Sequence, residues 1–259
     1  MTVTKLSIVL LKKLRQATPL AAKLVFLTGK STQALHPKHL VEIEKPWYLD
    51  YLSKNDIVLD LGCGNGQNSL KAAKKAKHVY GLDTNQASLN QGRSFASRHK
   101  ITNITFSFHD LNNKLLYPDQ RFDRVLFLDV LEHLGTASRQ QIMGEIHRIL
   151  RTDGLLLLAV PNSQTSWKKT QRSVSVDSFT DPDHKIEYSL DGIKKFCSKC
   201  KFKQLNISGI TYDSPYAPLI DIAGGFSLQL YKKLSLWKKN KMKGGLTESI
   251  GFRLVCQKM

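Results

Sequence analysis

The chain has 259 residues, 41% of them hydrophobic, and its 39 Lys and Arg outnumber 21 Asp and Glu to give a net charge of +18. That length suffices for one α/β domain with a cap, and the apolar content can fill its core. No apolar run reaches bilayer-spanning length, the early run 6–11 lacks a cleavage site after it, and four cysteines show no disulfide framework, so a cytoplasmic location is expected.

In chain order, residues 1–53 read as a basic helical extension and 54–259 as the main domain. Apolar runs bounded by turn residues predict strands at 56–61, 78–82, 104–109, 122–128 and 154–160, with helices between them, the first over 67–77. This alternation predicts a parallel sheet with helices on both faces, whose ligands bind beyond the carboxyl ends of the strands. Gly62, Asp83, Asp110 and Asp129 all fall at such ends. Residues 161–188 are polar and poorly periodic, as a cap loop would be. A helix over 189–200 and a strand over 202–211 follow, and 250–256 makes the last strand.

The most informative stretch is Val58-Leu59-Asp60-Leu61-Gly62-Cys63-Gly64-Asn65-Gly66. It is a buried strand that turns through alternating glycines, where the backbone can lie against a ligand. Asp83 follows about twenty residues on, where a βαβ unit presents a carboxylate to ribose hydroxyls. The loop has neither the G-x-G-x-x-G spacing that admits a pyrophosphate nor the Gly-Lys-Ser/Thr of a phosphate loop. Asp60 would repel a phosphate but accept a hydrogen bond from an ammonium. A ligand with a ribose, an amino-acid ammonium and no phosphate fits these residues.

These residues resemble the class I S-adenosylmethionine-dependent methyltransferases that share V-L-D-L-G-C-G-x-G. The resemblance continues in Asp83, in His109-Asp110-Leu111, in Phe122-Asp123-Arg124-Val125, in Asp129-Val130-Leu131-Glu132-His133-Leu134 and in Leu150-Arg151-Thr152-Asp153-Gly154. It implies a Rossmann-like, mostly parallel seven-stranded sheet with an antiparallel last strand, and S-adenosylmethionine as cofactor. The last two strands of that family are joined by a hairpin, so 212–249 reads as an insertion. By the same resemblance Asp60 faces the methionine ammonium, Gly62, Cys63, Gly64 and Gly66 form the cradle, and Asp83 with Thr84 meets the ribose. Asp110 and the Leu111 amide take the adenine, and Asp129 with Val130 flanks the methionine end.

Direct displacement at the methyl carbon needs alignment and, for an oxygen acceptor, a base. His133, on the rim after the fourth strand, and His184, in the cap, are the candidate bases. Asp129, Glu132 and His133 also resemble positions of the ubiquinone-biosynthesis O-methyltransferases, some of which use a divalent ion. Asp stands here where that pattern has Glu, and no metal is expected. The segment after strand four lacks the Asn/Asp-Pro-Pro-Tyr/Phe clamp of base-amino methyltransferases, and the Cys197/Cys200 pair has no second pair with which to hold zinc.

The basicity lies at the periphery. Residues 1–30 carry six Lys or Arg and no acid, and 227–259 carry eight against Glu248 alone. Lysines mixed with leucine and an interfacial aromatic suit an anionic membrane surface, met through 1–30 and 226–243, whereas nucleic-acid binding would want more interleaved aromatics in the first thirty residues. The expected activity is therefore O-methylation of a small-molecule, lipid-linked or glycan acceptor. An RNA methyltransferase using the basic termini and a non-catalytic cofactor-binding scaffold are the alternatives.

Overall fold

The computed structural model describes residues 3–16, 18–31, 34–241 and 245–259. Residues 1, 2, 17, 32 and 33 of the expected extension, and 242–244 of the expected insertion, lie outside the described residues. So do residues 242 and 243 of the basic segment 226–243.

In chain order the helices are α1 (Val3–Gln16), α2 (Thr18–Leu27), α3 (Gln67–Ala73), α4 (Gln86–Arg98), α5 (Thr136–Ile149), α6 (Ser166–Ser173), α7 (Leu190–Lys199), α8 (Ala217–Phe226) and α9 (Leu228–Asn240). The strands are β1 (Ile57–Leu61), β2 (His78–Asp83), β3 (Ile104–Phe108), β4 (Phe122–Leu128), β5 (Leu150–Pro161), β6 (Phe202–Gly209) and β7 (Gly251–Lys258). The chain forms two compact units, one from 46–161, 181–208 and 252–259, the other from 1–45, 162–180 and 209–251.

The first unit holds all of the sheet except the end residues Gly209 and Gly251. Its order is β3-β2-β1-β4-β5-β7-β6, with β1 through β5 parallel and β7 antiparallel, as expected for this fold. The aliphatic strands read as buried because they are covered on both faces. Val58, Val79, Leu126 and Leu157 pack with Ala72 and Ala76 of the α3 region, and Leu70, Leu89 and Ala96 close on Phe106. A fully buried Val or Leu among these, such as Val58, Leu126 or Leu89, contributes about 1.5–3 kcal/mol.

Register sets the functional rim. Leu61 stands opposite Leu82 and Phe127, Asp83 opposite Phe108, and Leu128 opposite Ala159, so the carboxyl ends of β1 to β5 finish together. The chain order reverses direction between β1 and β4, and an open parallel sheet leaves a crevice for a ligand at that switch point.

Several boundaries differ from the sequence reading. The first helix of this unit stops at Ala73 rather than 77, and β6 ends at Gly209 rather than 211. Strand β5 begins at Leu150 rather than 154, because Phe122 pairs with Leu150 before a register shift. The stretch 161–188 is not all loop: α6 forms within it, started by Thr165, whose Oγ1 accepts from the Lys168 amide at 3.2 Å.

In the second unit the insertion is closed at its ends by an antiparallel bridge between Tyr212 and Ser249. It contains α8 and α9. Thr165 donates to Asp213 at 2.7 Å and Ser166 to Glu248 at 2.7 Å, which ties α6 to the insertion. Helix α2 packs on α8, and Thr28 Oγ1 donates to the Gly225 carbonyl at 2.9 Å.

Candidate functional site

The glycine loop follows β1 and is held by β2. The amides of Gly62 and Cys63 both donate to the Leu82 carbonyl, at 2.8 and 3.0 Å, and the Gly64 amide donates to Asp83 Oδ2 at 2.7 Å. Gly62, Gly64 and Gly66 have φ of 69, 54 and 76°, a region that side-chain-bearing residues rarely enter. A Cβ on Gly66 would stand 2.3 Å from Phe106 Cζ, and one on Gly62 would stand 2.5 Å from Val130 Cγ2. One on Gly64 would meet no protein atom within 4 Å. Gly62 and Gly66 are therefore fixed by packing, whereas Gly64 turns its bare face to open space.

The expected residues stand at the carboxyl ends of β1 to β4. Asp60, only 2% exposed, accepts from the Ser69 hydroxyl, and burial pushes its carboxyl up to about 7. Burial also pushes the half-buried Cys63 thiol up, so Cys63 stays a neutral filler. Asp83 Oδ1 accepts from the Asn85 amide at 2.8 Å, and Thr84 beside it is exposed. Two oxygens offer about four acceptor positions. Asp83 thus retains acceptor capacity after Gly64 and Asn85 are served.

Asp110 Oδ1 accepts from the backbone and side-chain nitrogens of Asn112, at 2.9 and 2.8 Å, fixing the turn after β3, and Leu111 is buried behind it. Asp129 directly follows β4 in a left-handed conformation, φ 57°, with its amide donating to Ala159 O at 3.1 Å. Such a backbone costs about 1 kcal/mol and is retained where a side chain must be aimed. Val130 lies against Gly62.

The second cluster joins the turn after β4 to residues 181–188. The Lys185 amide donates to the Glu132 carbonyl at 2.8 Å, which brings His184 against His133 with ring centroids 4.8 Å apart. His184 Nδ1 bonds Glu187 Oε1 at 3.0 Å, and its Nε2 is 3.9 Å from Glu132 Oε1. A carboxylate on Nδ1 fixes the proton there and leaves Nε2 as the basic nitrogen.

Glu132 is 1% exposed, and burial followed by the neighbouring Asp129 pushes its carboxyl up to about 8. Its Oε2 and the Tyr188 hydroxyl are buried without a hydrogen-bond partner. Buried polar atoms without a protein partner are completed by a water, an ion or a ligand. Glu132, His133 and His184 also offer donor atoms within 4.8 Å of one another, a set of two imidazoles and a carboxylate that could hold a divalent ion.

Some of these residues escape sequence reasoning. The i+3 spacing from His184 was a signal that could have found Glu187, but Ser69, Phe106 and Tyr188 declare themselves only in three dimensions. Cys197 packs against Cys256, and all four cysteines are free thiols.

A family model described as a methyltransferase domain matches residues 52–224. A protein of Encephalitozoon cuniculi described as a methyltransferase is 29% identical over 185 residues, 66% of this chain and 82% of that one. An S-adenosylmethionine-dependent methyltransferase of Mycolicibacterium smegmatis is 28% identical over 168 residues, covering 65% of this chain and 60% of its own length. The fold matches the crystal structure of a SAM-dependent methyltransferase from Methanosarcina mazei with a TM-score of 0.59 at 19% identity, over 83% of this chain and 98% of that one.

Proposed function

Since the chain belongs to the methyltransferase-domain family and is an enzyme that takes S-adenosylmethionine as its cofactor, we propose that it methylates an oxygen of a small-molecule, lipid-linked or glycan acceptor, with His184 as the base. The observation that carries this reading is the Glu187–His184 bond at 3.0 Å, which holds the proton at Nδ1 and leaves Nε2, 3.9 Å from Glu132 Oε1, as the basic nitrogen beside the turn after β4.

The residues present fit the cofactor. Gly64 offers a bare backbone facing open space, Asp83 has acceptor capacity for two ribose hydroxyls, and Asp60 lies beneath the loop where an ammonium would pair with it. Asp110 and the Leu111 amide take the adenine edge, and Asp129 with Val130 flanks the methionine portion. When bound, the cofactor supplies an electrophilic methyl on a sulfonium. The chain supplies alignment and exclusion of water, which for a two-reactant displacement remove most of the entropic barrier.

His184 accepts the acceptor's hydroxyl proton at Nε2. Glu187 holds the imidazole in orientation and balances the charge it gains, and general-base assistance of this kind contributes about 10²–10⁴-fold. His133, edge-on to His184, and the buried Glu132 and Tyr188 groups line the place where the acceptor's polar atoms would be received.

A second reading is favoured by the orphaned Glu132 Oε2: a divalent ion on Glu132, His133 and His184 would polarise the acceptor oxygen. Chelation with EDTA separates the two, because a histidine base survives it and an ion-assisted reaction does not.

The direct test incubates the full chain with radiolabelled S-adenosylmethionine and fractionated extracts. Label in the lipid or small-molecule fraction, on an oxygen by mass spectrometry, is expected. Label in RNA alone would support the alternative acceptor, and cofactor binding with no product in any fraction would leave a scaffold.

A further inference from the structure

We propose that the unit built from α1, α2, α8 and α9 docks on an anionic lipid surface and seats the joined ends of α2 and α8 in the headgroup region. Most of the large apolar side chains that stay exposed among the described residues belong to this unit. They are arranged by helix face rather than scattered. On α1, Leu6 and Leu10 are exposed with Lys13 on the stripe opposite buried Ile8. On α2, Leu20, Lys23 and Leu27 share a face at i, i+3 and i+7, with Phe26 beside them, opposite buried Ala21 and Val25.

Helices α2 and α8 are apolar but for a single charged side chain each. Each has 10 residues, the charged ones are Lys23 and Asp221, and Asp221 faces His36 at 3.5 Å. A helix so largely apolar belongs in a core or against lipid. The inner faces of this pair are already closed: a Cβ on Gly225 would stand 2.5 Å from Leu24 Cβ. The outer faces are not. Leu27 is 66% and Phe226 61% exposed, and the Thr28–Gly225 hydrogen bond places these two neighbours at the same end of the pair.

Length and charge decide what covers them. Ten residues rise about 15 Å, half the hydrocarbon thickness, so such helices enter a membrane without crossing it. No helix of the described residues is long and apolar enough to cross one. Helices α1, α2 and α9 contain no acidic residue, and Lys13, Lys23, Lys232 and Lys233 are exposed among the apolar residues. Trp237 is exposed with the Lys241 ammonium 4.7 Å above its ring, an amphipathic aromatic of the kind that sits at headgroup level. Asp177 and Glu44 beside these helices are paired with Lys12 and Lys239, and the exposed apolar residues interleaved with the remaining cations complement an anionic lipid surface in both sign and polarity.

Flotation of the full chain with vesicles tests this without cofactor or acceptor, so its failure is distinct from failure of the proposed reaction. Partition into phosphatidylglycerol/phosphatidylcholine vesicles is expected to exceed that into phosphatidylcholine alone by at least tenfold. Phe26→Asp with Phe226→Asp should lower it by at least tenfold, while thermal melting and S-adenosylmethionine binding stay unchanged. Lys23→Glu with Lys233→Glu should lower it too and reduce its salt dependence. No flotation with anionic vesicles, or flotation unchanged in the Phe variant, would overturn the proposal. A dimer dissolved by the same Phe substitutions without vesicle binding, or RNA retention in place of vesicle binding, would overturn it as well.

Discussion

The carboxylate of Asp83, at the end of β2, accepts the amide of Gly64 at 2.7 Å. One side chain therefore shapes the loop that follows β1 and presents the remaining acceptor positions over it. Loop conformation and ribose recognition are coupled through this bond, so a substitution at either residue is felt at both.

The three glycines should fail in different ways. Gly66→Ala puts a Cβ 2.3 Å from Phe106 and is expected to cost about 1–3 kcal/mol of stability. Gly64→Ala meets open space and costs about 1 kcal/mol for the left-handed backbone, yet should weaken cofactor binding by at least tenfold. Thermal melts paired with calorimetric titration separate the two. A Gly64→Ala protein that binds as the wild type would move the ligand away from that face.

Cofactor affinity should depend on pH through Asp60. Its carboxyl, raised by burial from 3.8 to about 7, is protonated in much of the free protein at pH 6. Pairing with an ammonium needs the carboxylate, so affinity rises as pH climbs through 7 and falls below it by up to about tenfold per unit. The same shift means that stability contributed by neutral Asp60 is present below the ordinary carboxylate range and is lost as pH rises through about 7. Titrations from pH 5.5 to 8 should show the slope in the wild type and a flat, weaker profile in Asp60→Asn.

Once an acceptor is in hand, His184→Ala should lower kcat about 10²–10⁴-fold with little change in cofactor binding. Glu187→Gln should lower kcat less, because the imidazole loses the carboxylate that holds its Nδ1–H at 3.0 Å. An unchanged kcat in Glu187→Gln would assign Glu187 to structure alone.

The parallel part of the sheet was legible because β1 to β4 each end at or beside a chemically marked residue, Asp60 to Gly62, Asp83, Asp110 and Asp129 respectively, and β1, β4 and β5 are buried apolar runs. Helix α6 was not, since Ser-Trp-Lys-Lys-Thr-Gln-Arg-Ser has no apolar stripe, yet Lys168 and Gln171 within it are buried. Phe106 reads as an ordinary strand residue, although its ring is what excludes a side chain at Gly66. The Lys185–Glu132 bond that delivers His184 to His133 joins segments whose sequences carry no sign of pairing. Motifs report the residues that meet a shared ligand, and long-range packing reports the rest.

The central claim is that the loop at Gly62–Gly66 and Asp83 form one cofactor site, and calorimetric titration of S-adenosylmethionine into the wild type and Asp83→Ala tests it most directly. Equimolar binding in the wild type is predicted, weakened in the variant by about 1.5–3 kcal/mol, roughly 10–150-fold. Equal affinity in a folded Asp83→Ala protein would contradict the account.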